Sequence, residues 1–231
     1  MATNIKAPFF EIGPKSYLYG DEILELALAA DAASAKYGVD IIFTCPVVDI
    51  RRVKEATKHI HVFAPHMDPI PVGRGLADIL PESLVAAGAE GVRLNHVEKP
   101  VTFEVLAATI QRANEVGLTT IVCADSMANA SKIATLSPDI IVAEPSELIG
   151  TGVSVGPEYV EAAMKSVKNV NENILVLTAA GISNGTDVYN TIIAGADATG
   201  SSSGVAKAAD RPAMVDEMIA AVRKAWDERH N

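Results

Sequence analysis

Cysteine is scarce in this sequence, where only Cys45 and Cys123 occur among 231 residues. Two cysteines cannot build a disulfide framework, and no His, Cys, Asp or Glu spacing typical of a metal site is visible. Each cysteine lies within an apolar, strand-like run, so we expect both to be small buried core residues. The sequence therefore predicts neither a disulfide-stabilised fold nor a metal centre.

Positive charge is also scarce, with 19 Lys and Arg against 29 Asp and Glu and a formal net charge of −10. Nucleic acids and acidic membrane surfaces bind basic faces, so we expect neither as a partner. No apolar run approaches the roughly 18 residues of a membrane span. Residues 1–6 lack the apolar core of a signal peptide, which predicts a cytoplasmic protein.

Apolar residues, by contrast, make up 49% of the chain, enough for one large core. No stretch rich in Pro, Gly or Ser marks a linker, so we expect a single domain over residues 1–231. Eight short apolar runs alternate with Ala-rich segments, and their lack of polar alternation is typical of parallel strands covered on both faces. These runs cover residues 8–12, 41–45, 61–65, 91–95, 119–124, 140–144, 174–180 and 196–201.

The segments between the runs have the pattern of amphipathic helices, clearest at residues 21–37, 102–116 and about 209–227. Eight strand–helix units with right-handed crossovers predict a closed (β/α)8 TIM barrel of the α/β class. The alternative is an open doubly wound sheet, which usually has fewer strands and a Gly-rich first turn. The helix after the fifth run can be capped by Asp125 or Ser126, and the helix after the seventh by Ser183 or Asn184.

Polar residues follow several of the predicted strands, where a barrel carries its chemistry. Lys15, His66, His96 and Glu144 stand at the ends of strands one, three, four and six. A cation, an imidazole and a carboxylate at one mouth suit proton transfer beside a carbonyl. Glu144 would abstract the proton, His96 would polarise the carbonyl oxygen, and Lys15 would stabilise negative charge. Each side chain also has an ordinary structural interpretation, and it is their joint placement that favours chemistry.

Gly- and Ser-rich turns follow strands seven and eight, around Gly181 and residues 201–204. Backbone N–H groups in such turns can bind phosphate, which reconciles an anionic substrate with the negative net charge. Residues 144–152 place a Pro and two glycines on either side of a short, partly apolar stretch. This composition is typical of a hinged lid that excludes water from the substrate, although an ordinary ordered loop is the alternative.

Residues 143–152, with the sequence AEPSELIGTG, resemble the catalytic Glu and lid of archaeal-type triosephosphate isomerases. Residues 94–98 resemble the Asn-His-Ser-Glu motif of that family, and residues 14–17 resemble its Lys motif. Residues 180–183 and 203–208 are similar to its two phosphate-binding turns. The similarity extends over essentially the whole chain, and the lid motif is highly specific.

The resemblance implies an isomerase that interconverts D-glyceraldehyde 3-phosphate and dihydroxyacetone phosphate, in glycolysis and gluconeogenesis, without a cofactor. The family is a standard example of a Glu base paired with a neutral His, which implies Glu144 and His96 here, with Lys15 as the cation. Glu98 would have a supporting structural role. A homodimer or homotetramer is also implied, with residues 74–80 as an interface loop. The small phosphorylated sugar would contact Gly13, Gly150, Thr151, Gly152, Gly181, Ile182, Ser203 and Gly204.

The sequence departs from the family pattern close to the expected site. Gly13 replaces an Asn, Pro14 a Phe, Val97 a Ser and Pro65 a Gln. Loss of the Asn amide removes a hydrogen-bond donor and opens space. This indicates either a larger substrate, such as a four- or five-carbon ketose phosphate, or lower activity on triose phosphate. A non-catalytic sugar-phosphate sensor is a further alternative, although all three catalytic candidates are present.

Overall fold

A computed structural model describes residues 4–231. Residues 1–3, which belong to the predicted single domain and to the segment tested for a signal peptide, lie outside this range. The described chain forms one closed barrel of eight parallel strands in sequence order. Pairing of β1 with β8 closes the barrel, from Phe9 opposite Ala198 to Ile12 opposite Ser201. The predicted (β/α)8 TIM barrel is confirmed. The strands are β1 Phe9–Ile12, β2 Asp40–Thr44, β3 Ile60–Ala64, β4 Gly91–Leu94, β5 Thr119–Ala124, β6 Ile140–Ala143, β7 Leu175–Thr178 and β8 Ala198–Ser201.

The helices surround the barrel and connect consecutive strands. Short 3-10 turns occur at Val47–Asp49 and Ser146–Leu148. The predicted first helix has the expected bounds. The helices between residues 4 and 231 are α1 Asp21–Tyr37, α2 Ile50–Ala56, α3 Pro81–Ala87, α4 Phe103–Val116, α5 Met127–Ala134, α6 Pro157–Lys168, α7 Gly185–Ile193, α8 Ser203–Ala206 and α9 Arg211–His230.

Capping side chains set several of these helix bounds. The Thr102 hydroxyl accepts the Val105 N–H at 3.3 Å, so α4 begins one residue later than predicted. The Asp210 carboxylate caps α9 in the same way, which moves its start to Arg211. Of the two candidates before α5 and the two before α7, Ser126 and Asn184 are the N-caps.

Strand β7 is shorter than the predicted run of residues 174–180. Ala180 has a φ of 98°, which an extended strand residue does not adopt, and the chain turns toward the mouth of the barrel there. The run 196–201 likewise begins its strand only at Ala198. Both differences occur at run ends, where local turn geometry decides the bound.

Apolar side chains pack in two clusters within residues 4–231. One fills the interior of the barrel and includes Phe9, Phe63 and Cys123, and the other lies between the strands and the helices and includes Cys45. Both cysteines are buried free thiols, as predicted, and burial raises the pKa of each to about 12. Among the described residues no group of three potential ligands could hold a metal ion. No described helix is long and apolar enough to cross a membrane.

A charged cluster lies at the N-terminal end of the barrel, opposite the strand ends that were expected to carry chemistry. His61 Nδ1 lies 2.7 Å from Glu90 Oε2, and its Nε2 lies 3.8 Å from Asp40 Oδ1. Lys54 Nζ contacts the other Glu90 oxygen at 2.6 Å. Hydrogen bonding to Asp40 and Glu90 raises the pKa of His61 to about 9. The protonated imidazole therefore joins the starts of β2, β3 and β4.

We expect this cluster to make stability depend on pH. Below about pH 6.5 His61 is protonated in the folded and the unfolded chain, so its full contribution is present. As the pH rises through about 9 the folded imidazole loses its proton, and a contribution of at most roughly 3 kcal/mol disappears. Urea unfolding across this range should show a decline in the free energy of unfolding that His61→Gln lacks. The same decline in both proteins would contradict this assignment.

Candidate active site

A cavity of about 360 Å³ opens at the C-terminal end of the barrel, where the loops that follow the parallel strands lie. The loops after β1, β4, β6, β7 and β8 contribute to its wall. Nearly all of the residues proposed from the sequence lie there together. These are Lys15, His96, Glu144, Gly150, Thr151, Gly152, Gly181, Ile182, Ser203 and Gly204.

Gly13 is the exception among the proposed residues. It lines an adjoining cavity of about 370 Å³, which also borders Lys15 and His96. A Cβ atom at Gly13 would lie 2.8 Å from Glu11 Oε1. The carboxyl group of Glu11 therefore occupies the space into which a side chain at position 13 would project.

Glu144 follows β6 directly, and its side chain is only 9% exposed. Its Oε1 accepts a hydrogen bond from Arg93 Nη2 at 3.1 Å, whereas its Oε2 accepts none from residues 4–231. Burial raises the pKa of Glu144, against the opposing effects of Arg93 and Lys15, and the nearby Glu11 raises it further. The result is a carboxylate with more basic character than an exposed one and with one oxygen left for chemistry.

His96 is held by the backbone of its own turn. The N–H of Glu98 donates to His96 Nδ1 at 3.1 Å, which places the ring proton of a neutral imidazole on Nε2. Burial, followed by the charges of Arg93 and Lys15, lowers the pKa of His96 to about 4. His96 Nε2 lies 3.7 Å from Glu144 Oε1. At neutral pH the imidazole is therefore uncharged, and its Nε2–H lies beside the carboxyl group of Glu144.

The backbone is strained at Lys15 and at Asn95, the residue before His96. Lys15 has a φ of 51° and Asn95 a φ of 58°, both in the left-handed region. Such conformations cost about 1–3 kcal/mol each and persist where the surroundings impose them, commonly at functional sites. The Asn95 amide group stabilises its turn by donating to the Cys123 carbonyl at 3.0 Å and accepting the Val101 N–H at 3.2 Å. The turn directs His96 into the cavity.

Lys15 is paired in this structure. Its Nζ lies 3.0 Å from Glu98 Oε1, and Glu98 is much the more exposed of the two side chains. Burial tends to raise the pKa of Glu98, but the hydrogen bond from Lys15 and the neighbouring positive charges together lower that pKa. The structural role that the resemblance implied for Glu98 corresponds to two contacts, one to Lys15 and one through its backbone to His96.

The two turns predicted to bind phosphate pack against each other on one side of the cavity, where the Ser201 hydroxyl donates to the Ile182 carbonyl oxygen at 2.8 Å. A Cβ at Gly181 would lie 1.9 Å from the Val153 carbonyl oxygen, and a Cβ at Gly204 would lie 2.6 Å from the Ile182 carbonyl oxygen. These approaches require glycine at both positions. Ser203 begins α8, and the first N–H groups of a helix have no intrahelical partner, so they are available to an anion.

Residues 144–152, predicted as a lid, contain the short 3-10 turn Ser146–Leu148. Two glycines in left-handed conformations follow this turn. Gly150 and Gly152 both have a φ of 76°. Ile149 borders the main cavity and also a second one of about 370 Å³ on the other side of Glu144. The segment thus forms part of the wall of the site, and its movement stays a prediction.

Three charged residues of the cavity were not proposed from the sequence as site residues, namely Glu11, Arg93 and Lys207. Arg93 carried the clearest signal, because a cation in the middle of an apolar strand run must find partners inside the barrel. With these residues the lining contains three cations and three carboxylates. Arg93 and Lys207 therefore add positive charge to that of Lys15 and of the backbone N–H groups, which were the groups predicted from the sequence. His66, in contrast, contacts Asp68 at 3.3 Å and lines neither the main nor the adjoining cavity.

Comparisons with known proteins identify the family of this chain. A family model described as triosephosphate isomerase matches residues 14–222. The triosephosphate isomerase of Sulfolobus acidocaldarius is 34% identical over 229 residues, covering 97% of this chain and 99% of the relative. That of Methanocaldococcus jannaschii is 37% identical over 203 residues, covering 87% and 92% respectively. The chain is therefore an isomerase that belongs to the triosephosphate isomerase family.

Proposed function

We propose that this enzyme interconverts dihydroxyacetone phosphate and D-glyceraldehyde 3-phosphate, with Glu144 as the base. The observation that carries the proposal is the pairing of a buried carboxylate with a neutral imidazole 3.7 Å away, at one cavity with two glycine-rich turns. The shared name of the curated relatives supports the substrate assignment. A cytoplasmic location and a role in glycolysis and gluconeogenesis stay predictions.

Proton transfer through an enediolate accounts for each of the three side chains. Glu144 removes a proton from the carbon next to the ketone, and the electron pair of that C–H bond forms a carbon–carbon double bond. The carbonyl oxygen becomes an oxyanion, which the Nε2–H of His96 and the ammonium group of Lys15 stabilise. Glu144 then returns the proton to the neighbouring carbon, while His96 passes the hydroxyl proton between the two oxygens. No atom is gained or lost, so the product is the isomeric aldose.

The phosphate group would bind at the far side of the cavity, against the amides of Gly181, Ile182, Ser203 and Gly204. Backbone N–H donors suit this purpose because they add no net charge to a strongly acidic protein. Closure of residues 144–152 over the bound sugar would exclude water from an enediol phosphate, which can otherwise lose its phosphate.

Glu144→Gln tests the base. The amide keeps the shape of the side chain but cannot accept the proton, so we expect kcat to fall by at least roughly a thousandfold. An enzyme-linked assay of glyceraldehyde phosphate formation measures this loss, with the exposed Glu25→Gln on α1 as a control that should retain full activity. Retention of wild-type kcat in Glu144→Gln would overturn the mechanism.

A second candidate is an isomerase of a four- or five-carbon ketose phosphate. The cavity at Gly13 favours it, because about 370 Å³ of space borders Lys15 and His96 on the side away from the phosphate turns. A longer sugar chain could enter there. Glu11 limits this space, since its carboxyl group lies where a side chain at position 13 would project.

A substrate panel separates the two candidates. On the primary proposal we expect kcat/KM for glyceraldehyde 3-phosphate to exceed that for erythrulose phosphate and for pentulose phosphates. A ratio that favours the four-carbon sugar by about tenfold or more would replace triose phosphate as the substrate. Turnover of none of these sugars would contradict both candidates.

We also propose that the enzyme is a homodimer or homotetramer that associates through residues 74–80. This loop precedes α3 and presents Leu76 with 97% of its surface exposed, next to a 70% exposed Val72. Two such side chains close together on one loop form a small apolar surface that suits contact with a partner subunit.

Leu76→Arg should therefore shift the protein toward monomers. Light scattering after gel filtration gives the mass directly, and Val48→Arg, at another strongly exposed apolar position, is the matched control. An unchanged oligomer in Leu76→Arg, or a wild-type monomer, would contradict this interface.

A further inference from the structure

Three charged side chains form a buried row across the barrel interior beneath the cavity. Arg93 on β4 donates from Nη1 to Glu11 Oε2 on β1 and from Nη2 to Glu144 Oε1, both at 3.1 Å. Its Nε donates to Cys123 Sγ on β5 at 3.2 Å. The side chains of Glu11, Arg93 and Glu144 are at most 9% exposed. Every nitrogen of the guanidinium group is thus engaged inside the protein.

The barrel makes room for this row at specific positions. A Cβ at Gly200 would lie 2.7 Å from the Glu11 carbonyl oxygen, and one at Gly13 would lie 2.8 Å from Glu11 Oε1. Glu11 Oε1 is buried and has no hydrogen-bond partner among residues 4–231. The hydrogen bond to Arg93 is therefore the contact that holds the Glu11 carboxylate, and Glu11 in turn fixes the far side of the guanidinium group.

We propose that Arg93, anchored by Glu11, is a positioning residue that fixes Glu144 Oε1 and leaves Oε2 to take the substrate proton. This inference rests on the proposed role of Glu144 as the base. Arg93 acts through Glu144, because each of its three nitrogens already donates a hydrogen bond to a protein side chain and one of these bonds goes to the base itself. A planar guanidinium group can hold two carboxylates in fixed orientations, which a lysine ammonium group cannot do.

The charges around Glu144 give Arg93 and Glu11 opposite effects on the base. The titratable groups that face Glu144 are Arg93, Glu11, Lys15, Cys123, His96 and, from α6, Tyr159. Of these, Arg93 and Lys15 favour the ionised carboxylate, whereas Glu11 disfavours it by repulsion. Loss of the cation should therefore raise the pKa of the base, and loss of the Glu11 charge should lower it.

The pH dependence of kcat/KM in three variants tests the proposal. Arg93→Met should move the acidic limb up by at least about one pH unit and lower kcat at least about tenfold, with KM changed less than about threefold. Glu11→Gln should move the same limb down. Arg93→Lys keeps the charge but not the planar geometry, so its limb should stay near wild type while kcat falls. The substrate phosphate ionises alike in every assay, so differences between variants report the enzyme.

A matched control removes an arginine at the other end of the barrel. Arg229 donates to the carbonyl groups of Ile192 and Ala196, so Arg229→Met should lower stability without moving the acidic limb. If Arg93→Met does not fold, Glu11→Gln and Arg93→Lys carry the test. Acidic limbs that coincide with wild type in Arg93→Met and Glu11→Gln, or that shift in the same direction, would overturn the proposal. If Glu144 is not the base, Glu144→Gln retains wild-type turnover, and this result distinguishes that case from failure of the Arg93 proposal.

Discussion

The polar centre of this barrel depends on one buried guanidinium group. Glu11 and Glu144 are distant in the sequence but close in the barrel. Without a cation between them, two carboxylates in one apolar interior would repel each other, and one of them would take up a proton. Arg93 lies between them and contacts both at 3.1 Å. Its presence allows the interior to be hydrophobic around Phe9 and Phe63 yet ionic directly below the cavity.

Local balance, more than overall charge, also explains how an acidic protein can accept an anionic sugar. The cavity wall contains as many cations as carboxylates, and His96 adds no charge because its pKa is about 4. The neutral state follows from burial and from the neighbouring cations, and the tautomer follows from one backbone hydrogen bond to Nδ1. The electrostatics of the site are thus set within a few residues of the substrate.

The sequence was sufficient for the barrel, and for the convergence of Lys15, His96 and Glu144, because parallel strands bring their following loops to one edge. It was not sufficient for the row beneath them. Arg93 and Glu11 are 82 positions apart, and their contact depends on barrel closure and on which strand residues point inward. The sequence also did not predict that Gly13 lines the adjoining cavity instead of the main one. The carboxyl group of Glu11 lies beside Gly13, and its position depends on the closed barrel.

The close approach of Gly181 to Val153 links two loops that are separate in the sequence. Because even one methyl group at position 181 would collide with the Val153 carbonyl group, the segment that follows the lid rests on the turn after β7. The two loops are therefore packed as one unit, and a change in the backbone of one requires a matching change in the other. An exchange of the lid would therefore have to preserve the contact between the segment after it and the turn after β7.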